Sequence, residues 1–241
     1  MPKKQVIFFI GLIVCVAFLT AGWDWNFDDK DTKATTTETI ATPTEGGACG
    51  ESVSYEGQDY ATVQIGSQCW MAKNLNVGTQ VNGSSDMLDD DIVQKYCYEN
   101  KETNCTENGG LYQWAEAMKL SQEEGAQGIC PAGWHVPSDS DWYTLEKYLS
   151  SGTCDRNRLD YGCDPAGKAL LSGESSGFGG IYGGYRDLDG SFKTIQSESD
   201  FWSSTTVQTV QVGRSISRGD SKIRRMSEVP DYGFSVRCVQ N

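Results

Sequence analysis

The cysteines constrain this chain most. There are nine in 241 residues. Cys15 lies in an apolar run that opens the chain, and the others (Cys49, Cys69, Cys97, Cys105, Cys130, Cys154, Cys163 and Cys238) follow it. An even set behind an export signal reads as a disulfide framework in an oxidising compartment. Loop spacing narrows the pairings: Cys97–Cys105 and Cys154–Cys163 each close a short polar loop. The C-terminal Tyr232-Gly-Phe-Ser-Val-Arg-Cys238 is apolar at its even positions, which predicts a strand whose inner face carries Cys238. We expect Cys238 to bond Cys130, tying the last strand to Gly128–Trp142, a stretch with a Pro-Ala-Gly turn and Trp134. Cys49–Cys69 is then the remaining pair. A zinc site needs closely spaced cysteine pairs with histidines, and this chain has no Cys-x-x-Cys and one histidine, His135. No metal and no cofactor is therefore expected.

The opening run has Lys3 and Lys4 followed by apolar Val6–Gly22. A positive start before an apolar core predicts a secretory signal peptide or an uncleaved membrane anchor over 1–22. The run is slightly short of the roughly 20 residues a membrane helix needs. Val14 before Cys15 lacks the small side chain of a lipoprotein signal. Residues 23–48 are threonine-rich with little to bury, so they read as a disordered spacer, a stalk or a plain tail. The folded part is expected over 49–241. The net charge of −13, with 33 Asp+Glu against 20 Lys+Arg, argues against nucleic-acid binding, which wants a basic surface.

Within the folded part, Pro137 ends an extended stretch. Ser138 can cap a following helix with Asp141 as its capping-box partner. Trp142, Leu145 and Leu149 then recur at helical spacing, predicting a helix over Ser140–Leu149. Leu111, Trp114, Ala115 and Met118 mark a second, short helix. Tyr60–Ile65 and Phe201–Thr205 read as strands, and Gly66-Ser67, Asp189-Gly190 and Gly219-Asp220 as turns.

Several motifs carry candidate chemistry. Gly162-Cys-Asp-Pro-Ala-Gly167-Lys168-Ala169 nearly spells a phosphate-binding loop. Its last position is Ala169 rather than Ser or Thr, no apolar strand precedes it, and Cys163 is expected in a disulfide, so it is rejected. Asp89-Asp90-Asp91 lacks calcium-loop spacing and reads as a solvated loop. Arg218-Gly219-Asp220 spells an integrin-type tripeptide of the kind that arises by chance. The unusual surface is Val210–Met226, with Arg214, Arg218, Lys222, Arg224 and Arg225 against Asp220. A basic hairpin in an acidic protein is a candidate site for an anionic ligand, or it balances neighbouring acids. His135 reads as a structural, hydrogen-bonded histidine. No residue is singled out as catalytic, although 33 acids offer many carboxylate pairs.

Taken together, seven pieces resemble one family. They are Tyr60-Ala-Thr-Val-Gln-Ile-Gly-Ser-Gln-Cys-Trp-Met-Ala-Lys-Asn-Leu75, Lys95-Tyr-Cys-Tyr-Glu-Asn100, Gly110-Leu-Tyr-Gln-Trp114, Cys130-Pro-Ala-Gly-Trp-His-Val-Pro-Ser138, Gly183-Gly-Tyr-Arg186, Phe201-Trp-Ser-Ser-Thr205 and Tyr232-Gly-Phe-Ser-Val-Arg-Cys-Val239. In their order over 53–241 they are similar to the Fibrobacter succinogenes major paralogous (FISUMP) domains of bacterial surface and secreted proteins. The resemblance implies an α+β, C-type lectin-like fold: two short helices, small twisted antiparallel sheets, much loop, and disulfide staples. It also implies ligand binding near the C-terminus, by position between Trp202 and Tyr232. The expected site is therefore Trp202, Arg214, Arg218, Lys222, Arg224, Arg225 and Tyr232. The calcium-dependent lectin motifs Glu-Pro-Asn and Trp-Asn-Asp are absent, and so is the late cysteine pair of formylglycine-generating enzymes.

The expected function is a non-catalytic binding or adhesion module, secreted or on the extracellular face of the envelope. Its partner is expected to be a glycan, another anionic polymer or a surface protein, not nucleic acid. Membrane attachment, if any, falls to the N-terminal segment. The alternatives are a structural subunit of a surface assembly and a carboxylate-based hydrolase.

Overall fold

The structure is a computed structural model that describes residues 47–88 and 91–241. The export segment, nearly all of the spacer, and Asp89-Asp90 of the acidic loop lie outside the described residues. Strand β1 (Val53–Tyr55) turns into β2 (Gln58–Tyr60), and β3 (Thr62–Ile65) turns into β4 (Gln68–Met71) through Gly66 at φ 60°. Glycine adopts that left-handed backbone without strain. The predicted strand Tyr60–Ile65 is thus broken at Ala61. Strands β5 (Thr79–Val81) and β6 (Gln94–Tyr96) pair in parallel. Helix α1 (Glu102–Asn108) and the short α2 (Trp114–Ala117) follow, then β7 (Trp134–His135) and α3 (Asp139–Leu149). After β8 (Tyr161–Gly162) come α4 (Ala166–Ala169), β9 (Tyr185–Arg186) and β10 (Phe192–Lys193). The chain ends with β11 (Glu198–Val207), β12 (Val210–Ser217), β13 (Ile223–Glu228) and β14 (Val239–Gln240).

This is a mixed helix-and-strand architecture with four α-helices among the described residues, not the expected two. The additional α1 and α4 are short and have no apolar periodicity to announce them. Helix α3 forms as its cap dictates: the Ser138 hydroxyl accepts the Asp141 N–H at 3.1 Å, and the Asp141 carboxylate accepts the Ser138 N–H at 2.8 Å. Trp142 and Leu145 are its buried ridge.

Two four-stranded sheets organise the molecule, in the orders β3-β4-β14-β7 and β11-β12-β13-β8. Around them lie two apolar clusters. One gathers Met71, Tyr112, Trp114, Trp134, Trp202, Phe234 and Val236, and the other Trp70, Trp142, Leu145, Phe178, Phe201 and Ile216. The neighbours Phe201 and Trp202 fall in different clusters, because successive side chains of β11 point to opposite faces. The C-terminal segment threads between the clusters. Its expected one-sided pattern does not hold: Gly233, Ser235 and Arg237 are buried as fully as Phe234 and Val236. Arg237 is accommodated by hydrogen bonds to Asn74 and the carbonyls of Met71 and Phe178, and its guanidinium lies 4.2 Å from the centre of the Phe178 ring. Burial alone lowers its pKa to about 9.

The disulfides are Cys49–Cys69, Cys97–Cys105, Cys130–Cys238 and Cys154–Cys163, the same pairs that spacing and strand parity suggest. They suit an extracellular protein. No helix among the described residues is long and apolar enough to cross a membrane.

Candidate functional site

The sheet β11-β12-β13 has two chemically different faces, and its alternation decides which residue goes where. In the register, Asp200 stands opposite Ser215, and Ser215 opposite Arg224. Phe201 stands opposite Arg214, and Arg214 opposite Arg225. The second row turns toward α3. There Arg214 pairs with Glu146 and lies 2.8 Å from the Asp139 carboxylate. Arg225 grips both oxygens of Asp139, at 2.9 and 3.0 Å. Arg158 reaches the other oxygen of Glu146 at 2.6 Å. Asp139, Glu146, Arg214 and Arg225 are all buried. Burial on its own would raise the Asp139 pKa, but its arginine partners outweigh it and hold the carboxyl below its usual value.

The first row makes the opposite, front face. Here Glu198 is fixed by hydroxyls: Ser215 and Ser217 donate to its Oε1 at 2.7 and 3.3 Å, and Ser217 is in turn bonded to Tyr161 at 3.0 Å. Asp200 lies beside it, 4% exposed, and its Oδ1 has no hydrogen-bond partner. Burial, then the Glu198 charge, pushes the Asp200 carboxyl up to about 8, against the lowering pull of Ser215 and Arg224. Glu228 is raised by burial, opposed by Arg224. Arg224 itself is drawn toward Asp160, at 3.4 Å. Two half-buried tyrosines border the acids. Tyr185 is pushed up to about 12, first by burial and then by Asp187, Asp200 and Glu198. Tyr232 is raised by burial, Glu228 and Asp187. Their rings meet edge-on at 6.0 Å, and Tyr232 stacks on Phe234 at 5.5 Å. The face thus offers fixed carboxylates, hydroxyls and an aromatic wall, with its acids incompletely matched by cations.

The expected site residues are dispersed by this geometry. Arg214 and Arg225 are ion-paired in the interior, so for them the charge-balancing alternative describes the geometry. Trp202 is buried, its indole N–H donating to the Tyr112 carbonyl at 2.7 Å. Arg218 and Lys222 are exposed at the β12–β13 end, with Arg218 over the Tyr182 ring at 5.3 Å. Only Arg224 and Tyr232 border the front face. The basic hairpin is therefore not one positive surface, because alternation sends its arginines to different sides. Sequence reasoning missed Glu198, Asp200, Glu228 and Tyr185. The signal was present: Glu198, Asp200 and Trp202 share one parity, but starting the strand at Phe201 cut the acids off.

Other candidates resolve structurally. His135 bonds Asn241 at 2.7 Å and Asp141 at 3.2 Å. Burial acts to lower its pKa, but these two partners outweigh it and raise it. Gly167 of the near-miss phosphate loop packs against backbone: a Cβ there would sit 2.1 Å from the Lys222 carbonyl oxygen. The glycine thus serves close packing. Two cavities lie away from the front face. One, of about 230 Å³, is lined by Met87, Val93, Ala115 and Leu120 among others, and one of about 330 Å³ by Asn74, Asn76 and Asn108 among others.

The family model described as the Fibrobacter succinogenes major domain matches residues 63–240. No curated protein and no solved structure matches the chain.

Proposed function

This chain belongs to the Fibrobacter succinogenes major domain family, and from that premise we propose that it is an exported, non-catalytic ligand-binding module that works through the front face of β11-β12-β13. One observation carries the reading. A structural face pairs its buried charges with opposite charges, as the α3 side does even though Arg158 Nε lacks a hydrogen bond, whereas the front face holds Glu198 through hydroxyls and buries Asp200 with its Oδ1 unpartnered. Perturbed titratable groups gathered beside half-exposed aromatics mark a functional site more often than a scaffold. The acids favour a hydroxyl-rich ligand such as a glycan over an anionic polymer. A C-type lectin-like arrangement suits this reading. It draws support from the meeting of β3, β4, β7 and β14, the long helix α3 and the separate sheet displayed at the C-terminal end. Export and surface display rest on the disulfides and on the N-terminal pattern.

The test is a glycan and polymer binding screen with the full chain, followed by Glu198→Ala and Tyr232→Ala against Arg218→Ala and Lys222→Ala. Loss of binding in the first pair with retention in the second supports the front face. The reverse result moves the site to the hairpin tip.

A second reading, a carboxylate-based hydrolase, draws on Asp200 held protonated up to about 8 beside Glu198, the division of labour that acid–base catalysis uses. It requires substrate to reach a group only 4% exposed, so binding is preferred. Release of reducing sugar from a bound polysaccharide, lost in Asp200→Asn, would establish hydrolysis.

A further inference from the structure

We infer that the cavity of about 330 Å³ beside α1 is a second binding site, which takes a single neutral sugar residue through side-chain amides. The inference goes beyond the front-face reading and stands or falls without it.

Three segments far apart in the chain meet at this cavity. They are β2 with the stretch that follows β4, the second half of α1, and the loop from Ser172 to Ile181. Their positions are fixed before any ligand arrives. Asn74 Nδ2 donates to the Asn108 carbonyl at 2.9 Å and the Gly110 N–H to the Leu75 carbonyl at 2.8 Å, which holds α1 against the stretch after β4. Cys97–Cys105 ties α1 down again. The Ser172 N–H donates to the Gly180 carbonyl at 2.7 Å and closes the third segment on itself. Walls that are already ordered leave little entropy to lose on binding. The volume falls at the lower end of the range for small-ligand sites, roughly 300–1,000 Å³.

The protein leaves polar groups of this cavity unused. Asn76 is 8% exposed. Its Oδ1 accepts Lys95 Nζ at 2.6 Å, and an ammonium only donates, so the amide must present its oxygen there. Its backbone N–H goes to the Tyr60 hydroxyl at 3.1 Å, and its carbonyl accepts Gln58 Nε2 at 2.5 Å. What remains is the Nδ2 donor, which has no partner among the described residues. Solvent reaches it, unlike the sealed Asp200 Oδ1. The half-buried Asn108 uses its backbone carbonyl, while its side-chain amide bonds nothing among the described residues. Gln58 keeps its Oε1 and Ser172 its hydroxyl. Donors and acceptors are therefore both on offer around one space.

The charges of the lining cancel. Its cations are Lys73 and Arg237, and its acids are Asp59 and Glu107. Two of each favour an uncharged ligand over an anion or a cation. A site of hydrogen-bonding groups rejects ligands that leave those groups unpaired. A sugar residue pairs them, because each hydroxyl both donates and accepts. Its C–H faces find Tyr60, Ala72 and Ile181 in the same lining. An extended peptide advances about 3.3 Å per residue and would carry most of its backbone past a cavity of this size.

The test titrates the full chain with the methyl glycosides of glucose, galactose and mannose and follows the side-chain amide signals of Asn76 and Asn108 by NMR. Glucuronate, glucosamine and triglycine are the comparison probes. The expected result is a saturable shift of both amide signals by at least one neutral glycoside, with affinity at least about threefold above every comparison probe. Asn76→Asp keeps an oxygen for Lys95 and removes the donor, so it should lower affinity about three- to tenfold, the net worth of one hydrogen bond. Asn108→Ala removes an amide the fold does not use and should do the same. Glu123→Gln, an exposed acid outside the lining, should change nothing. Near-ultraviolet dichroism confirms that each variant is folded, and the parent's amide shifts stand without any variant. Binding of a glycoside with both amide signals unmoved overturns the cavity as its site. Equal or tighter binding of glucuronate or glucosamine overturns the neutral assignment, and of triglycine the sugar assignment. No binding of any neutral glycoside overturns the inference. The front face is decided separately, by Glu198→Ala and Tyr232→Ala in the polymer screen above.

Discussion

The two faces of β11-β12-β13 are made from the same strands, one residue apart, yet they treat charge in opposite ways. Toward α3, Arg214, Arg225 and Arg158 find Asp139 and Glu146 at hydrogen-bonding distance. On the front, Asp200 sits beside Glu198 and is left partly unpartnered. Taking charges out of water is expensive, and protein interiors keep them where partners repay the cost. The α3 face follows that rule and reads as structure. On the front face the cost is met differently: Asp200 is buried without a contact cation and keeps its proton instead.

The largest expected effect breaks the frame that holds both faces. Cys130–Cys238 closes a loop of 108 residues. Replacing both cysteines by Ala should cost about 4–5 kcal/mol by chain entropy, measured by chemical denaturation under oxidising conditions. A loss under about 1 kcal/mol would show that the C-terminal segment is held by packing alone.

Next comes the paired face. Glu146→Ala strands Arg214 and Arg158 in the interior and should cost about 3–5 kcal/mol. If Glu146→Ala instead leaves stability unchanged, the α3 face is not held by matched charge, and the comparison fails.

The third prediction concerns pH. The folded state holds the Asp200 proton up to about 8, whereas an unfolded aspartate releases it near 3.8. The folded pKa is raised, so this group's stabilising contribution is full below about 4 and is lost as pH rises to about 8. Asp200→Asn should remove that slope and make the protein relatively more stable at neutral pH. His135, also raised, loses its contribution as pH climbs above 6.5. The Asp200 effect is therefore read as parent minus variant. Identical pH profiles for the two would place Asp200 in a solvated, ordinary environment.

The smallest effect on stability sharpens the contrast most. Glu198→Gln keeps an acceptor for Ser215 and Ser217, so unfolding should shift by no more than about 0.5 kcal/mol. Ligand affinity should fall all the same. A large stability loss without a binding change would make Glu198 structural, like Glu146.

Much of this was legible in the sequence. Loop spacing and strand parity gave the disulfide pairs. Ser138 and Asp141 announced the start of α3, and the Gly219-Asp220 turn joined two real strands. The composition and charge of the 210–226 segment drew attention to the right sheet but to the wrong residues. Arg214 and Arg224 look alike in a sequence, and each is one of a run of basic positions.

What the sequence determined by itself is local: covalent pairings constrained by loop length, a cap three residues from its partner, and the alternation that puts Glu198 and Asp200 on one side of their strand; the register that sets Arg214 and Arg225 on the other came with the fold. Which side would be covered was decided only by tertiary structure. Helix α3 ends 49 residues before β11 begins, and its Asp139 and Glu146 dock on the arginine row because burying those charges requires opposite charges at contact distance. That docking leaves the carboxylate row on the other side, where Asp200 and Trp202 are buried as well and Glu198, Tyr185 and Tyr232, the last two brought in from other segments, are half-buried.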